Sequence, residues 1–427
     1  MYCFKDFKGF ADASLDLSLS PVTVLIGRNG SGKSNAIEAI ELLGQLVRCV
    51  PLYEIGELGR GSRHELRGGL IGATRNDAKG FCLEFGDESL KYSVEIRTRP
   101  PKNDLSGPSV WRESLSFGGE EVYDARRRGV GLLRLKYRSA DGRTKQINQP
   151  ANSTILMRLQ QVAGEQISGH LLEALEALRA KFPDLFVFDP SPQLMRNYER
   201  QKQRHLARNG SNLSSVLHAL HTSRDAVDRQ NLQGILEDVR SLPEEPIEGF
   251  DFVATPGDVM LALRRSDGHT IDARLLSDGF LRTLAVLTAL ATAERGDIVV
   301  VEELDNGLHP SRAKTLLDAV WRQAERRGVR LLVTTHNPAL LDSLDEEKMR
   351  GVVLCHWDEA LGASSLTRLT DLPDPWVILR QGELGRHVTQ ETYRTQLASG
   401  YVDRRKVETK ARLQRLRSFL DNEGDAA

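Results

Sequence analysis

The stretch VTVLIGRNGSGKSNAIEAIELLG, Val22 to Gly44, constrains the fold more than any other part of the chain. Val22 to Ile26 is a continuous apolar run, as a β-strand buried on both faces requires. From Ala36 the pattern changes period, and Ile37, Ile40, Leu43 and Leu46 fall near one face of a helix. Between strand and helix, Gly27, Gly30, Gly32, Lys33 and Ser34 fit the spacing G-x-x-x-x-G-K-[ST]. The glycines let consecutive backbone N–H groups point inward at β- and γ-phosphates, Lys33 supplies a mobile positive charge, and the Ser34 hydroxyl is placed to ligate Mg²⁺. The helix N-terminus adds its positive dipole end. The candidate nucleotide-binding set is therefore the whole run Gly27, Arg28, Asn29, Gly30, Ser31, Gly32, Lys33, Ser34 and Asn35, with ATP and Mg²⁺ as the implied cofactors.

Hydrolysis of a held nucleotide also needs a carboxylate for the metal and a group that orients water. DIVVVEELDNGLHP supplies both types. Ile298 to Val301 reads as a central parallel strand, and Glu302 and Glu303 stand at its C-terminal end, where such sheets bind ligands. Neighbouring strand residues point to opposite faces, so the two acids have different tasks. Glu302 is assigned to the Mg²⁺ shell and Glu303 to the attacking water.

Along the rest of the chain FCLEF, LKYSVEIR and LLRLKYR alternate as antiparallel strands, and residues 155 to 240 read as mainly helical, with start signals at Ser211 and Asp225. An ordered βαβ alternation runs from Leu275 to about Leu344. The expected class is α/β with a split core: an N-terminal lobe over 1–150 with the phosphate loop and antiparallel strands, a helical insertion over 151–245, a C-terminal lobe over 246–370, and a charged helical tail over 371–427. Lysine and arginine number 58 against 59 acidic residues, so any nucleic-acid surface must be local. Cys3, Cys49, Cys82 and Cys355 are scattered, without metal-ligand spacing, which suits a reducing compartment. The start, with Lys5, Asp6 and Lys8, has no apolar signal-peptide region, and FLRTLAVLTALATA is interrupted by Arg282 and too short to span a bilayer. These features predict a cytoplasmic protein with no membrane partner.

Three further segments carry a resemblance. Leu276, Ser277, Asp278 and Gly279 match the LSxG signature of ABC-type ATPases and precede the acidic pair in that family's usual order; RLLVTTHNPALL resembles its switch-histidine segment, with His336 just past an apolar strand. Met1 to Gly44, with GKSN in place of GKST, and EELDNGLHP are similar to the RecF, SMC and OLD branch of P-loop ATPases rather than to transporters. Within that branch the chain looks most like the stand-alone ATPases of bacterial antiphage defence, such as the Septu ATPase. The resemblance implies a P-loop NTPase of ABC-type ATPase-head fold, with an antiparallel β subdomain and a mainly helical insertion. It implies that Glu303, His336 and Lys33 are the catalytic set. It further implies that Ser277 and Gly279 contact a γ-phosphate held by a second copy, giving a homodimer or larger even oligomer with composite ATP sites. His336 would sense the γ-phosphate, and His309 either repeats a family position or caps the helix beginning at Pro310.

The sequence departs from the family in several places. No glutamine stands where a glutamine loop belongs, since Gln45 lies on the first helix; Arg67 and Asn76 are the alternatives. Phe7 and Phe10 are candidates for stacking on adenine, with core packing as the rival reading. Heptads and a nuclease-sized C-terminal domain are both lacking, so the effector is expected to be a separate protein. Basic runs at Arg126 to Arg128, Arg196 to Arg208 and Arg404 to Arg417 leave a RecF-like DNA-binding ATPase as one alternative. A non-hydrolysing ATP-bound scaffold is another.

Overall fold

The computed structural model describes residues 1–57, 64–99, 107–129, 131–162, 167–240, 247–306, 309, 312–335, 337–375, 384–390 and 392–397. A hairpin of β1 (Tyr2–Phe7) and β2 (Phe10–Leu15) precedes β3 (Val22–Ile26), which runs into α1 (Lys33–Val47). A short pair, β4 (Ile55–Glu57) and β5 (His64–Leu66), and the single turn α2 (Gly69–Gly72) lead to a meander. Its strands are β6 (Gly80–Gly86), β7 (Leu90–Arg97), β8 (Ser109–Phe117), β9 (Glu120–Arg128), β10 (Leu132–Arg138) and β11 (Thr144–Pro150). After α3 (Leu156–Val162) and α4 (Gly169–Lys181) come β12 (Leu185–Phe188), α5 (Pro192–Met195), β13 (Glu199–Arg200), α6 (Leu213–Thr222) and α7 (Ala226–Val239). Next, β14 (Ile247–Thr255), β15 (Asp258–Arg265) and β16 (Thr270–Asp272) form a small antiparallel sheet with β13. The remaining elements are α8 (Asp278–Thr292), β17 (Ile298–Val301), α9 (Ala313–Arg327), β18 (Arg330–Thr335), α10 (Pro338–Asp342), α11 (Glu346–Met349), β19 (Val352–Asp358) and β20 (Ala363–Arg368).

One fourteen-stranded sheet has the order β11-β10-β9-β8-β7-β6-β1-β2-β20-β19-β3-β18-β17-β12. From β11 to β2 it is antiparallel; β19, β3, β18, β17 and β12 are mutually parallel. The split core is explicit here, because β3, from the start of the chain, lies between β18 and β19, from its later part. Alternation sorts β3 onto both faces. Val22, Val24 and Ile26 join one apolar cluster with α6, α7, α8 and α9, while Leu25 joins another with α1, α3 and α4. All five β3 residues, and all four of β17, are buried, which is why both read as continuous apolar runs rather than alternating ones.

Three details go beyond the sequence reading. Leu185–Phe188 lies within the stretch read as mainly helical, yet it forms the parallel edge strand beside β17; LFVF is a short β-branched and aromatic run, which favours a strand. SVWRESLSF, EEVYDARRR and TKQINQP add strands to the antiparallel half. Helix α6 starts at Leu213 rather than at Ser211; the neighbouring Asn212 is turned back, its Oδ1 accepting from Ala207 N at 2.8 Å. Asp225 does cap α7, accepting from Val227 N at 2.7 Å. The basic run from Arg404 to Arg417 lies outside the described residues. Among the described residues no helix is long and apolar enough to cross a membrane, and no three or more of His, Cys, Asp and Glu are grouped so as to hold a metal ion.

Candidate nucleotide-binding site

The parallel strands end on one rim of the sheet, and there the structure gathers the loop after β3 and the acids after β17. Gly27, Gly30 and Gly32 have φ of 154°, 79° and 113°, values that L side chains rarely adopt. A Cβ on Gly27 would lie 2.1 Å from the Cys355 carbonyl oxygen, and one on Gly32 would lie 3.0 Å from Phe10 Cζ, whereas Gly30 has open space around it. The loop is therefore pressed against β19 and β20 at its two ends and bare at its crest, where backbone N–H groups can meet a ligand.

Lys33 is buried, and its Nζ donates to Gly27 O at 2.7 Å and to Arg28 O at 2.9 Å, so the ammonium braces the inside of the loop. Burial lowers its pKa from the ordinary lysine value, opposed by the charges of Glu302 and Glu303 nearby. Ser31 Oγ is buried without a hydrogen-bond partner among the described residues. A buried hydroxyl of this kind has an incentive to meet an acceptor such as a phosphate oxygen. Arg28 and Asn29 are exposed on the loop crest; Asn35, on the first turn of α1, is half-buried.

Ser34 Oγ donates to Glu302 Oε2 at 2.6 Å, which joins residues 268 positions apart in the sequence. A hydroxyl and a carboxylate at this separation are hard oxygen donors of the type Mg²⁺ prefers. The orphaned Ser31 hydroxyl, the open space around Gly30 and this oxygen pair fit a Mg²⁺-bound triphosphate. Glu303 has a left-handed backbone (φ 51°), stabilised by its N–H donating to Thr334 Oγ1 at 3.0 Å. Asn306 closes the turn, its N–H donating to Glu303 O at 3.0 Å. Because β17 ends at Val301, both acids stand in a tight turn and strand alternation does not apply to them.

Signature residues lie at the start of α8. Ser277 is exposed and caps the helix, accepting from Phe280 N at 3.3 Å; Gly279 is buried one residue into it. Arg196 fixes this end, donating to Leu276 O at 2.7 Å and to Asp278 Oδ1 at 2.6 Å. His336 lies outside the described residues, though its neighbour Thr335 is described and donates to Asp305 Oδ1 at 2.7 Å. His309 is exposed, and its carbonyl accepts from Arg312 N at 2.9 Å ahead of α9. Phe7 and Phe10 are wholly buried in the core, so neither can stack on a base. Gln45 is buried on α1 and Asn76 is exposed.

Several residues near the site had not been singled out. Glu38 and Glu41 continue the stripe of Ser34 along α1. Glu38 receives both Lys8 and Arg67, and that bond raises the Arg67 pKa, with the field of Glu302 adding to it. Glu41 pairs with Arg208 at 3.1 Å and ties α1 to the insertion. Arg282 of α8 donates to Pro190 O at 3.2 Å and to Glu302 O at 3.4 Å. The i, i+4, i+7 spacing of Ser34, Glu38 and Glu41 was the available signal for the first two; Arg282 stood out only as an interruption in an apolar helix.

The basic runs are partly committed to internal contacts. Arg127 is buried against Ser109 and Trp111, Arg126 pairs with Asp124, and Arg196, Arg204 and Arg208 pair with Asp278, Asp228 and Glu41.

Over residues 22–342 the chain matches the family profile described as "AAA domain, putative AbiEii toxin, Type IV TA system". It is 22% identical over 390 residues to the retron Ec83 probable ATPase of Escherichia coli, covering 81% of this chain and 69% of that protein. Over 99 residues it is 32% identical to the DNA replication and repair protein RecF of Rhizobium etli, covering 23% of this chain and 26% of that protein. Among solved structures, the SMC head bound to the C-terminal winged-helix domain of ScpA aligns with a TM-score of 0.43 at 13% identity, covering 86% of this chain and 96% of that one. The SMC head domain from Thermotoga maritima aligns with a TM-score of 0.39 at 14% identity, covering 86% and 97%.

Proposed function

The chain belongs to that AAA-domain ATPase family, and from this premise we propose that it binds and hydrolyses ATP as an oligomeric switch that gates a separate effector in antiphage defence. The observation that carries the reading is the 2.6 Å contact between Ser34 and Glu302, made beside a braced Lys33 and an exposed Glu303. Mg²⁺ held by Ser34 and Glu302 would neutralise charge on the phosphates. Lys33 and the loop N–H groups hold those phosphates, and Glu303 orients the attacking water. Ser277 is exposed at a helix start, where its Oγ accepts from Phe280 N of its own helix. That placement supports a role across an interface, with a second copy completing each site. Similarity to a retron ATPase supports the defence reading.

Purified protein should hydrolyse ATP, Lys33→Ala should abolish binding, and Glu303→Gln should retain binding while turnover falls by about 10²–10⁴-fold. Mixing Lys33→Ala with Ser277→Arg should recover part of the activity that each lacks alone, because one composite site of the mixed dimer is intact. No recovery would remove the shared site, and unchanged turnover in Glu303→Gln would remove the water-orienting role.

The similarity to RecF favours, as a second reading, an ATPase that grips DNA. The internal pairing of Arg126, Arg127, Arg204 and Arg208 counts against it. ATP-dependent, salt-sensitive retention of duplex DNA would decide in its favour.

A further inference from the structure

With Phe7 and Phe10 in the core, the base of a nucleotide needs another platform, and the end of β19 supplies one. β19 runs parallel beside β3 with Leu354 opposite Ile26, so Cys355 to Asp358 continue past the point where the phosphate loop begins. The contact is direct, since the Cys355 carbonyl oxygen bounds the space beside Gly27. Side chains alternate along a strand, and Val353 and Cys355 belong to the apolar cluster under α1. Trp357 therefore points to that same face. The indole is nevertheless 50% exposed, unlike Val353 and Cys355 on the same face.

The cross-strand neighbour fixes its position further. Trp357 pairs with Ser364 across the β19–β20 hairpin, and paired residues share a face with Cβ atoms about 4.5–5.5 Å apart. Ser364 is buried, its Cβ lies 3.2 Å from where a Cβ on Gly32 would be, and its N–H donates to Gly9 O at 2.8 Å. The indole thus stands on the rim of the loop, one cross-strand step from a side chain that touches it. Arg75 pins the hairpin tip by donating to Gly362 O at 2.8 Å, and Leu361 at that tip is also exposed.

We propose that Trp357 is the stacking platform for the purine base of the nucleotide whose phosphates lie in the loop from Gly27 to Ser34, an assignment that rests on the nucleotide-binding reading above. An indole recognises the π-face of a base rather than its hydrogen-bonding edge. Adenine and guanine nucleotides should accordingly bind with similar affinity and pyrimidine nucleotides more weakly.

Isothermal titration of the full chain with Mg-ATP and with Mg-tripolyphosphate separates base from phosphate recognition. Trp357→Ala should weaken ATP about 5- to 100-fold and leave tripolyphosphate unchanged, while Trp357→Phe should restore most of the ATP affinity. Equal ATP affinity in wild type and Trp357→Ala, or an equal loss for both probes, overturns the platform and leaves the nucleotide site standing. Failure of the wild type to bind either probe overturns both.

Discussion

Replacing Glu113 with glutamine should change how stability depends on pH, and the size of the change follows from the surroundings of that side chain. Glu113 is fully buried on β8. Tyr92 and Tyr123 hydroxyls donate to its Oε1 at 3.2 and 3.0 Å, Leu156 N donates to the same oxygen at 3.3 Å, and Ile155 N donates to Oε2. Burial outweighs these donors and pushes the carboxyl from 4.5 up to about 7. Below the unfolded value the group is protonated in both states and contributes nothing pH-dependent. Between 4.5 and about 7 the unfolded chain has released its proton while the folded one retains it, so stability falls as pH rises through that window and levels off above it. The loss across the window is about 3 kcal/mol at 1.36 kcal/mol per pKa unit. Glu113→Gln keeps the shape and cannot titrate. The assay is the denaturant unfolding free energy of both proteins at pH 5 and pH 8. Because all other titrating groups are shared, the wild-type value minus the variant value isolates Glu113 and should fall by about 2.5 kcal/mol between the two pH values. Whatever acceptors the amide forfeits shift both points equally. A pH-independent difference, or one that rises with pH, would mean that the donors keep the carboxylate ionised, and the reasoning fails. The outcome bears on the site as well, because the segment Glu113 holds also donates from Thr154 Oγ1 to Leu46 O at the end of α1.

Arg282→Ala removes the bonds to Pro190 O and Glu302 O; turnover should fall by about tenfold, the equivalent of one charge-assisted bond, with ATP affinity within twofold, and an unchanged kcat would deny it any positioning of the acidic turn. Gly27→Ala would drive a Cβ to 2.1 Å from the Cys355 carbonyl oxygen, so thermal melts should show a loss of about 3 kcal/mol or more together with loss of ATP binding. Gly30→Ala meets no neighbour and should cost about 1–2 kcal/mol for its left-handed backbone alone; equal effects of the two would discount the close approach of β19. Cys355, wholly buried with its thiol pushed up to about 12 by burial, should resist iodoacetamide in the folded protein and react only after denaturation, as mass spectrometry can read.

The parts of the site that were legible in the sequence are those carried by local pattern. The loop from Gly27 to Ser34 announces itself because only glycine tolerates its backbone, and β17 because a strand covered on both faces must be apolar throughout. What the sequence withheld depends on which strands become neighbours. Val352–Asp358 read merely as a short strand near the end of the chain, and nothing local says that it lies beside β3 and carries Trp357 to the loop rim. The same holds for Glu38 and Arg67, which lie 29 positions apart and meet only when the chain folds. Leu185–Phe188 was hidden for another reason: four residues between helices are too few to display a period, and the strand is defined by its ladder with β17.

The interleaving of β3 between β18 and β19 has a consequence for synthesis. A ribosome releases Val22–Ile26 well before Arg330–Thr335 and Val352–Asp358, the two partners of that strand. At on the order of 5–20 residues per second, the nascent phosphate loop waits many seconds with its supporting strands still untranslated, while the antiparallel meander that follows can already pair with β1. A chain interrupted before β19 would own every glycine of the loop and still lack the wall against which it is shaped. The shape of the loop is therefore a late product of synthesis, set when β19 pairs with β3 and not when the glycines are made.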